Sequence, residues 1–270
     1  MSDGPMADTA DGVGRRSAAG AVSPDLTEDQ FLGGRLTCLQ PAKGFRAGAD
    51  TVLLAAAVPA QSGQHVIELG CGVGIASLCV WKRVPDVAVT GLELNAESVA
   101  LARENATRNA AGRAFTTIEA DVTTLPKSLP RHHSDHVFFN PPFLDEQRAS
   151  VGAVEAKARA IAHARTGLDL WIKSGLALLK PKGTLTIIHR ADALGRLLAG
   201  LTTGCGDIEV IPIHAYAGRD AIRVIIRAVK GRRGPLRIRP SVVLHQEGGA
   251  FTAQIDAVLR DGQPLVTSVP

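Results

Sequence analysis

Apolar residues recur along the chain in two alternating patterns, short β-branched runs and longer amphipathic stretches. The short runs have the composition of buried strands and occupy residues 65–69, 86–94, 114–121, 135–140 and 183–190. The longer stretches have helical spacing and occupy residues 50–58, 75–84, 96–110, 167–179 and 193–203. Because strands that alternate with helices form parallel sheets, the pattern predicts an α/β fold with a doubly wound sheet.

The pattern changes after residue 203, where two long apolar runs follow each other without a helix between them. Residues 207–216 and 221–229 are joined by the turn sequence AGRD and predict a C-terminal antiparallel hairpin. The predicted sheet is therefore seven-stranded and mostly parallel. The stretch SVVLHQEGGAFT, after residue 240, is compatible with one more pair of edge strands.

The remaining segments define the domain organisation. Residues 1–30 are rich in Ala, Gly, Ser and Asp and lack the apolar core of a signal peptide, so they predict a disordered tail. Residues 31–270 then form a single domain. Within that domain, the polar, Ala-rich segment 143–165 predicts a loop and a short helix over the functional face, with His163 and Arg165 as candidate substrate contacts.

Composition narrows the class of protein. The hydrophobic content of 45% and charged content of 21% are those of a globular protein, and no apolar run reaches the roughly 18 residues of a membrane helix. We therefore expect a cytoplasmic protein without membrane contact. The cysteines form no CxxC pair and predict single reduced thiols: Cys38, Cys71, Cys79 and Cys205. The histidines of RHHSDH (131–136) fit no metal-ligand spacing and predict a solvated loop that enters the strand at residue 135.

Charge is unevenly distributed along the chain, whose formal net charge is +4. Residues 1–30 carry six acids and two bases, whereas residues 219–240 carry eight bases and one acid. Such a concentration of arginine is typical of nucleic-acid contact, although a solvated basic hairpin is the plainer alternative. The candidate RNA-binding residues are Arg219, Arg223, Arg232, Arg233 and Arg237.

Glycines follow the first strand at once, in the sequence HVIELGCGVG: Gly70, Gly72 and Gly74. In a doubly wound sheet, ligands bind at the carboxyl ends of the strands, where glycines let the backbone approach a ligand closely. Glu93 ends the second strand and can accept hydrogen bonds from both hydroxyls of a ribose. Asp121 ends the third strand and can accept from an adenine amine. The candidate cofactor site also includes Glu68, Cys71, Leu94 and, at the end of the fourth strand, Asn140.

Three such strand ends suit a nucleoside ligand. The glycine spacing is G-x-G-x-G and not the G-x-G-x-x-G of dinucleotide enzymes, which disfavours a nicotinamide dehydrogenase. The pattern of glycines and acids resembles the S-adenosylmethionine-dependent methyltransferases, whose cofactor has no phosphate. That resemblance implies S-adenosyl-L-methionine as the cofactor and a Rossmann-like class I methyltransferase fold.

The fourth strand ends in FFNPPF (138–143), which predicts a rigid array of hydrogen-bond acceptors. Proline holds the preceding Asn140 in an extended conformation, and neither Pro141 nor Pro142 has an N–H to donate. The Asn140 side-chain oxygen and the Pro141 carbonyl match the two hydrogens of a planar NH2 group. Two such bonds localise the nitrogen lone pair for attack on a methyl group, without a general base. Phe143 can stack on the base.

The sequence NPPF resembles the Asn/Asp-Pro-Pro-Tyr/Phe/Trp motif of the amino-methyltransferases. GFRAGADTVLLAAAV (44–58) further resembles the opening segment of the bacterial tRNA (adenine-N6)-methyltransferases, which act beside the anticodon of a valine tRNA. The resemblance runs from about Leu36 to Val229. It implies an enzyme that methylates an exocyclic amine of an RNA base, adenine N6 of tRNA in particular.

Other functions stay open at this point. Position 143 is phenylalanine, where adenine enzymes commonly carry tyrosine. Phenylalanine also occurs there in guanine-N2 methyltransferases of ribosomal RNA, so that activity is an alternative. A protein glutamine N5-methyltransferase would use the same motif on a carboxamide. A non-catalytic RNA-binding subunit is disfavoured because the candidate site is intact. Trp171 and Tyr216 are further stacking candidates, although packing explains them equally well.

Overall fold

A computed structural model describes residues 25–44, 46–142 and 167–265 and arranges them as a central sheet between two layers of helices. The strands are β1 (Leu26–Phe31), β2 (Leu36–Pro41), β3 (His65–Leu69), β4 (Ala88–Glu93), β5 (Phe115–Glu119), β6 (Ser134–Phe139), β7 (Leu179–Arg190), β8 (Cys205–Tyr216), β9 (Ala221–Lys230), β10 (Arg237–Ile238) and β11 (Val242–His245). The helices are α1 (Ala49–Ala57), α2 (Ile75–Arg83), α3 (Ala96–Arg108), α4 (167–178), α5 (Leu194–Leu201) and α6 (Ala253–Asp261).

The central sheet has nine strands, and its first five are parallel in the order β5-β4-β3-β6-β7. Strand β9 then runs antiparallel between β7 and β8, which confirms the predicted hairpin. All seven predicted strands are present, and the short strands β10 and β11 extend the sheet by pairing with β8. The expected edge pair after residue 240 is instead one strand, β11, with an isolated bridge between His245 and Phe251.

Each face of the sheet has its own hydrophobic core. One core contains apolar residues of α1, α2, α3 and α6 together with Val66, Val89 and Phe138. The other contains residues of α4 and α5 together with Ile67, Val137 and Phe139. Alternate residues of β3 and β6 therefore enter opposite cores. This explains why these strands read as continuous apolar runs, as is typical of parallel sheets.

The hairpin β1–β2 lies apart from the central sheet and corrects the predicted domain boundary. Residues 26–30, placed in the tail by sequence analysis, pair in register with β2, from Leu26 opposite Pro41 to Phe31 opposite Leu36. The sequence LTEDQF carries little apolar signal, because the strand is only half-buried. The predicted tail up to residue 24 and the segment 143–166, with Phe143, His163 and Arg165, lie outside the described residues.

The four cysteines are buried free thiols. In the part of the chain that the structure describes, no helix has the length and apolar character needed to cross a membrane.

Candidate active site

A cleft of about 1230 Å³ opens at the carboxyl ends of the parallel strands. Its walls include the loop after β3, the ends of β4, β6 and β7, and the beginning of β9. The crossing helices leave this edge of the sheet uncovered, which is why ligands bind there in doubly wound folds. From one side to the other, the strand ends present Asp121, Glu93, Gly70, Asn140 and Arg190.

The glycines of the loop after β3 have φ angles of +64°, +52° and +83°, in the left-handed region that favours glycine: Gly70, Gly72 and Gly74. A Cβ at Gly70 would lie 2.5 Å from Cη2 of Trp171, and a Cβ at Gly74 would lie 2.7 Å from Cε1 of Phe115. At Gly72 a Cβ would meet nothing within 4 Å. Two of the glycines thus permit close packing, and the middle one leaves open space beside the cleft.

Glu93 lies where the sequence predicted, at the end of β4. Its Oε2 accepts a hydrogen bond from the Gly72 N–H, and its Oε1 accepts one from the Asn95 N–H, both at 2.9 Å. Each carboxylate oxygen has a second lone pair, so the group can still accept from a ligand. The next residue, Leu94, is 66% exposed and also lines the cleft.

Asp121 lies in the cleft wall two residues after β5. Its Oδ1 accepts from both the N–H and the hydroxyl of Thr123 at 2.7 Å. These hydrogen bonds hold the pKa of Asp121 below its usual range, so the side chain is an anionic acceptor at neutral pH.

Two ionisable groups lie deeper in the cleft. Glu68 is buried and accepts from the Ser77 hydroxyl at 2.6 Å and the Ser77 N–H at 2.9 Å. Burial raises the pKa of Glu68 to about 8, although the Ser77 hydrogen bonds oppose that shift. The Cys71 N–H donates a hydrogen bond to the Leu92 carbonyl at 2.9 Å. Burial raises the pKa of the Cys71 thiol. Cys71 is therefore a neutral packing residue in the cleft floor.

Asn140 directly follows β6 and lines the same cleft as the glycine loop. Its side-chain oxygen is buried and has no hydrogen-bond partner among the described residues. Pro141 is buried and Pro142 is exposed. An unpaired buried acceptor is unfavourable, so this oxygen is available to accept a hydrogen bond from an incoming N–H or O–H group.

Several cleft residues were not identified from the sequence. Gln40 lies in β2, Lys43 in the segment that follows β2 and Thr51 in α1, whereas β7 and β9 contribute Arg190 and Ile222. Only the position of Arg190 carried a signal, because it ends a predicted parallel strand as Glu93 does. The other residues reach the cleft through tertiary packing.

The two stacking candidates separate in the structure. Trp171 of α4 lies in the cleft wall, packs on Gly70 and makes an edge contact with Phe139 at a centroid distance of 5.6 Å. Tyr216, at the end of β8, is 41% exposed and contacts the ring of His245. Among the residues that the structure describes, no group of three or more potential ligands could hold a metal ion.

The arginines of residues 219–240 lie at two ends of the sheet. Arg223 lines the cleft and bonds to Asp50 at 2.7 Å, and Arg219 lies in the adjoining turn. Strand β9 then carries the chain to the opposite end, where Arg232 lies 3.9 Å from Asp207 and Arg233 is exposed. Arg237 is exposed on the edge strand β10. The basic run is therefore not a single patch beside the cleft.

This sheet order and this cleft define a class I S-adenosylmethionine-dependent methyltransferase. The chain belongs to the methyltransferase small domain family, whose model matches residues 46–194. A solved structure with a TM-score of 0.66, a predicted O-methyltransferase from Agrobacterium tumefaciens, is 27% identical and covers 82% of this chain and 99% of its own. The tRNA (m1A58) methyltransferase of Aquifex aeolicus, 14% identical with a TM-score of 0.51 over 72% of each chain, shares the fold.

Several relatives of the chain are named tRNA1(Val) (adenine(37)-N6)-methyltransferase. The protein from Glaesserella parasuis is 28% identical over 67% of this chain and 75% of its own length. The protein from Aeromonas hydrophila is 25% identical over 77% of this chain and 86% of its own length. These relatives confirm the resemblance that the sequence motifs indicated.

The chemistry of the cleft fits S-adenosyl-L-methionine, the cofactor of this class. The ribose hydroxyls and the adenine amine are hydrogen-bond donors, and Glu93 and Asp121 offer carboxylate acceptors at neighbouring strand ends. The open space at Gly72 would admit the cofactor close to the backbone. When bound, the cofactor supplies an electrophilic methyl group on a positively charged sulfur.

Proposed function

We propose that this enzyme transfers a methyl group to the N6 amine of an adenine in tRNA. The buried side-chain oxygen of Asn140, which lacks a partner among the described residues, is the observation that carries the proposal. The NH2 group of adenine would supply the missing donor, and the Pro141 carbonyl would accept its second hydrogen. An alcohol brings only one hydrogen, so a pair of acceptors favours an amine over an oxygen nucleophile.

The proposed chemistry requires positioning and electrostatics only. Hydrogen bonds to both protons draw the amine away from its planar, delocalised form and localise the lone pair on nitrogen. The nitrogen then forms a bond to the methyl carbon as the sulfur–carbon bond breaks, and one amine proton leaves to water. The resulting ammonium is strongly acidic, so Asn140 need not act as a base.

A tRNA substrate is supported by the names of the relatives and by the arginines at both ends of β9. Within β9, Lys230 lies seven residues after Arg223, which corresponds to roughly 24 Å at about 3.4 Å per residue. A folded RNA that places one base in the cleft can reach across that distance to Arg232 and Arg233. Such a substrate would place the enzyme in the cytoplasm.

Labelled S-adenosylmethionine and a set of unmodified tRNA transcripts test the proposal. After nuclease digestion, mass spectrometry should identify N6-methyladenosine, chiefly in a valine tRNA. A transcript in which the adenine beside the anticodon is replaced by guanine is the matched control and should not be labelled. N2-methylguanosine, a methylated ribose or a label confined to protein would each overturn the proposal.

A further inference from the structure

Two asparagines of the α3 segment pair with the backbone of β2 as a neighbouring strand would. Asn109, the residue that follows the helix, accepts from the Thr37 N–H at 3.0 Å and donates to the Thr37 carbonyl at 2.9 Å. Asn105 accepts from the Leu39 N–H at 2.7 Å and donates to the Leu39 carbonyl at 3.0 Å. Because the asparagines are four residues apart, their side chains lie on one side of the helix and match alternate residues of the strand.

The Asn105 and Asn109 side chains differ in the acceptor of a third hydrogen bond. The second amide hydrogen of Asn105 is donated to the Val73 carbonyl, in the glycine loop, at 3.0 Å. The second amide hydrogen of Asn109 is donated to the Asn105 carbonyl, within α3, at 2.8 Å. Asn105 is fully buried. Of these two asparagines, only Asn105 joins the glycine loop to the hairpin.

The connection continues from Leu39 to the cleft. The next residue, Gln40, is buried, lines the cleft and accepts from the Ala47 N–H at 2.8 Å. Ala47 also lines the cleft and lies just before α1. A continuous path of hydrogen bonds and covalent bonds therefore links the glycine loop, the end of β2 and the start of α1. Asn105 itself is not one of the described residues that line the cleft.

We propose that Asn105 is a positioning residue for cofactor binding. It holds the glycine loop and the N-terminal hairpin in the relative position that the cofactor requires. Without its side chain, the Leu39 N–H and the carbonyls of Leu39 and Val73 lose their partners in a buried region, and the two walls can separate. The inference concerns the cofactor and is independent of the methyl acceptor, so it stands or falls separately from the tRNA proposal.

Asn105→Ala and Asn109→Ala form a matched pair, because each removes two hydrogen bonds to the backbone of one residue of β2. We expect both to lower the melting temperature measured by circular dichroism. Calorimetry with S-adenosylhomocysteine should give a Kd within about twofold of the parent for Asn109→Ala and at least about tenfold weaker for Asn105→Ala, as for a lost buried hydrogen bond. Equal Kd values in two folded variants would overturn the proposal.

Hydrogen exchange on the unsubstituted protein keeps the proposal testable if Asn105→Ala does not fold. Saturating S-adenosylhomocysteine should slow exchange of the Leu39 amide, which is bonded to Asn105, together with the amides of residues 70–74. The Thr37 amide, bonded to Asn109, should gain less protection. Unchanged exchange at Leu39 alongside protection of residues 70–74 would overturn the coupling.

Discussion

The backbone N–H of Gly72 donates a hydrogen bond of 2.9 Å to Oε2 of Glu93, which joins the glycine loop to the end of β4. A residue suggested by sequence as a ribose ligand is therefore also a support of the loop beside it. Its removal changes both the acceptor and the shape of the cleft.

Replacement of Glu93 by alanine should weaken S-adenosylmethionine binding about ten- to hundredfold, since charged hydrogen bonds contribute roughly 1.5–3 kcal/mol. Isothermal titration calorimetry measures the loss directly. Glu119→Ala is the matched control, because Glu119 is the register partner of Glu93 on β5 and is exposed. Unchanged affinity in the Glu93 variant would remove this residue from the cofactor site.

Gly72→Ala should distinguish the effect of a substitution on folding stability from its effect on cofactor binding. Its φ of +52° costs an alanine roughly 1–2 kcal/mol, but a Cβ meets nothing within 4 Å and the chain should fold. If that space receives the cofactor, binding should fall by at least about tenfold. Gly63→Ala carries a similar strain at φ +76°, also in open space, at the opposite edge of the sheet. That control should lose comparable thermal stability and bind the cofactor normally; equal binding in both variants would contradict this assignment.

Asn140→Ala should leave cofactor affinity within a few-fold and reduce the methyl-transfer rate about a hundred- to thousandfold. Loss of one preorganised group directed at a transition state costs on the order of 3–4 kcal/mol. Asn140→Asp retains an acceptor of the same shape and should retain more activity than the alanine variant. Single-turnover assays at saturating cofactor separate chemistry from binding. A near-parental rate for Asn140→Ala would show that the prolines only terminate the strand.

Glu68 should make stability depend on pH. Its folded pKa of about 8 lies above the ordinary value near 4.3, so the folded state binds more protons between these values. The free energy of unfolding should therefore fall as pH rises from about 5 to about 8. Glu68→Gln should flatten this dependence. The free energy of unfolding of the variant, relative to that of the parent, should therefore be highest near pH 9. Urea denaturation across the range measures the slope, and parallel curves for the two proteins would refute the assignment.

The combined variant Arg232→Gln, Arg233→Gln, Arg237→Gln should reduce the salt dependence of tRNA binding. Each lost phosphate contact lowers the slope of log Kd against log salt by about 0.7–0.9, or roughly 2 to 3 in total. A short anticodon-loop RNA, which cannot span β9, should show a smaller change. Arg113→Gln, on an exposed turn before β5, is the control. An unchanged slope for tRNA would place the RNA surface elsewhere.

Sequence patterns predicted the order of the central elements because alternating strands and helices leave strong apolar periodicities. They failed where a strand lacked that signal. Residues 180–182, which lie between the predicted helix 167–179 and the predicted strand 183–190, belong to β7, which begins at Leu179 and pairs there with Ser134. The left-handed Lys182 at φ +65° and the salt bridge from Lys180 to Asp135 accompany this irregular start. Tertiary pairing thus overrides local turn chemistry.

The candidate site was likewise predictable only in part. The positions of Glu93 and Asp121 at the cleft were predictable because the carboxyl ends of parallel strands meet at one edge of a sheet. The position of Gln40 was not predictable, because it reaches the cleft through a hairpin whose hydrogen bonds to Asn105 and Asn109 span 66 and 72 residues of the chain. The sequence did not indicate where the arginines of the basic run lie, because β9 carries residues that are close in sequence to opposite ends of the sheet.

The N-terminal hairpin also contacts the last described helix. Arg35 donates to the Arg260 carbonyl at 3.3 Å, and a Cβ at Gly33 would lie 2.8 Å from the same oxygen. During translation, residues 26–41 emerge from the ribosome long before α3 and α6, which complete their packing. We therefore expect the cofactor site to mature only after α3 and α6 have been synthesised, so that a nascent chain that lacks these helices should not capture S-adenosylmethionine.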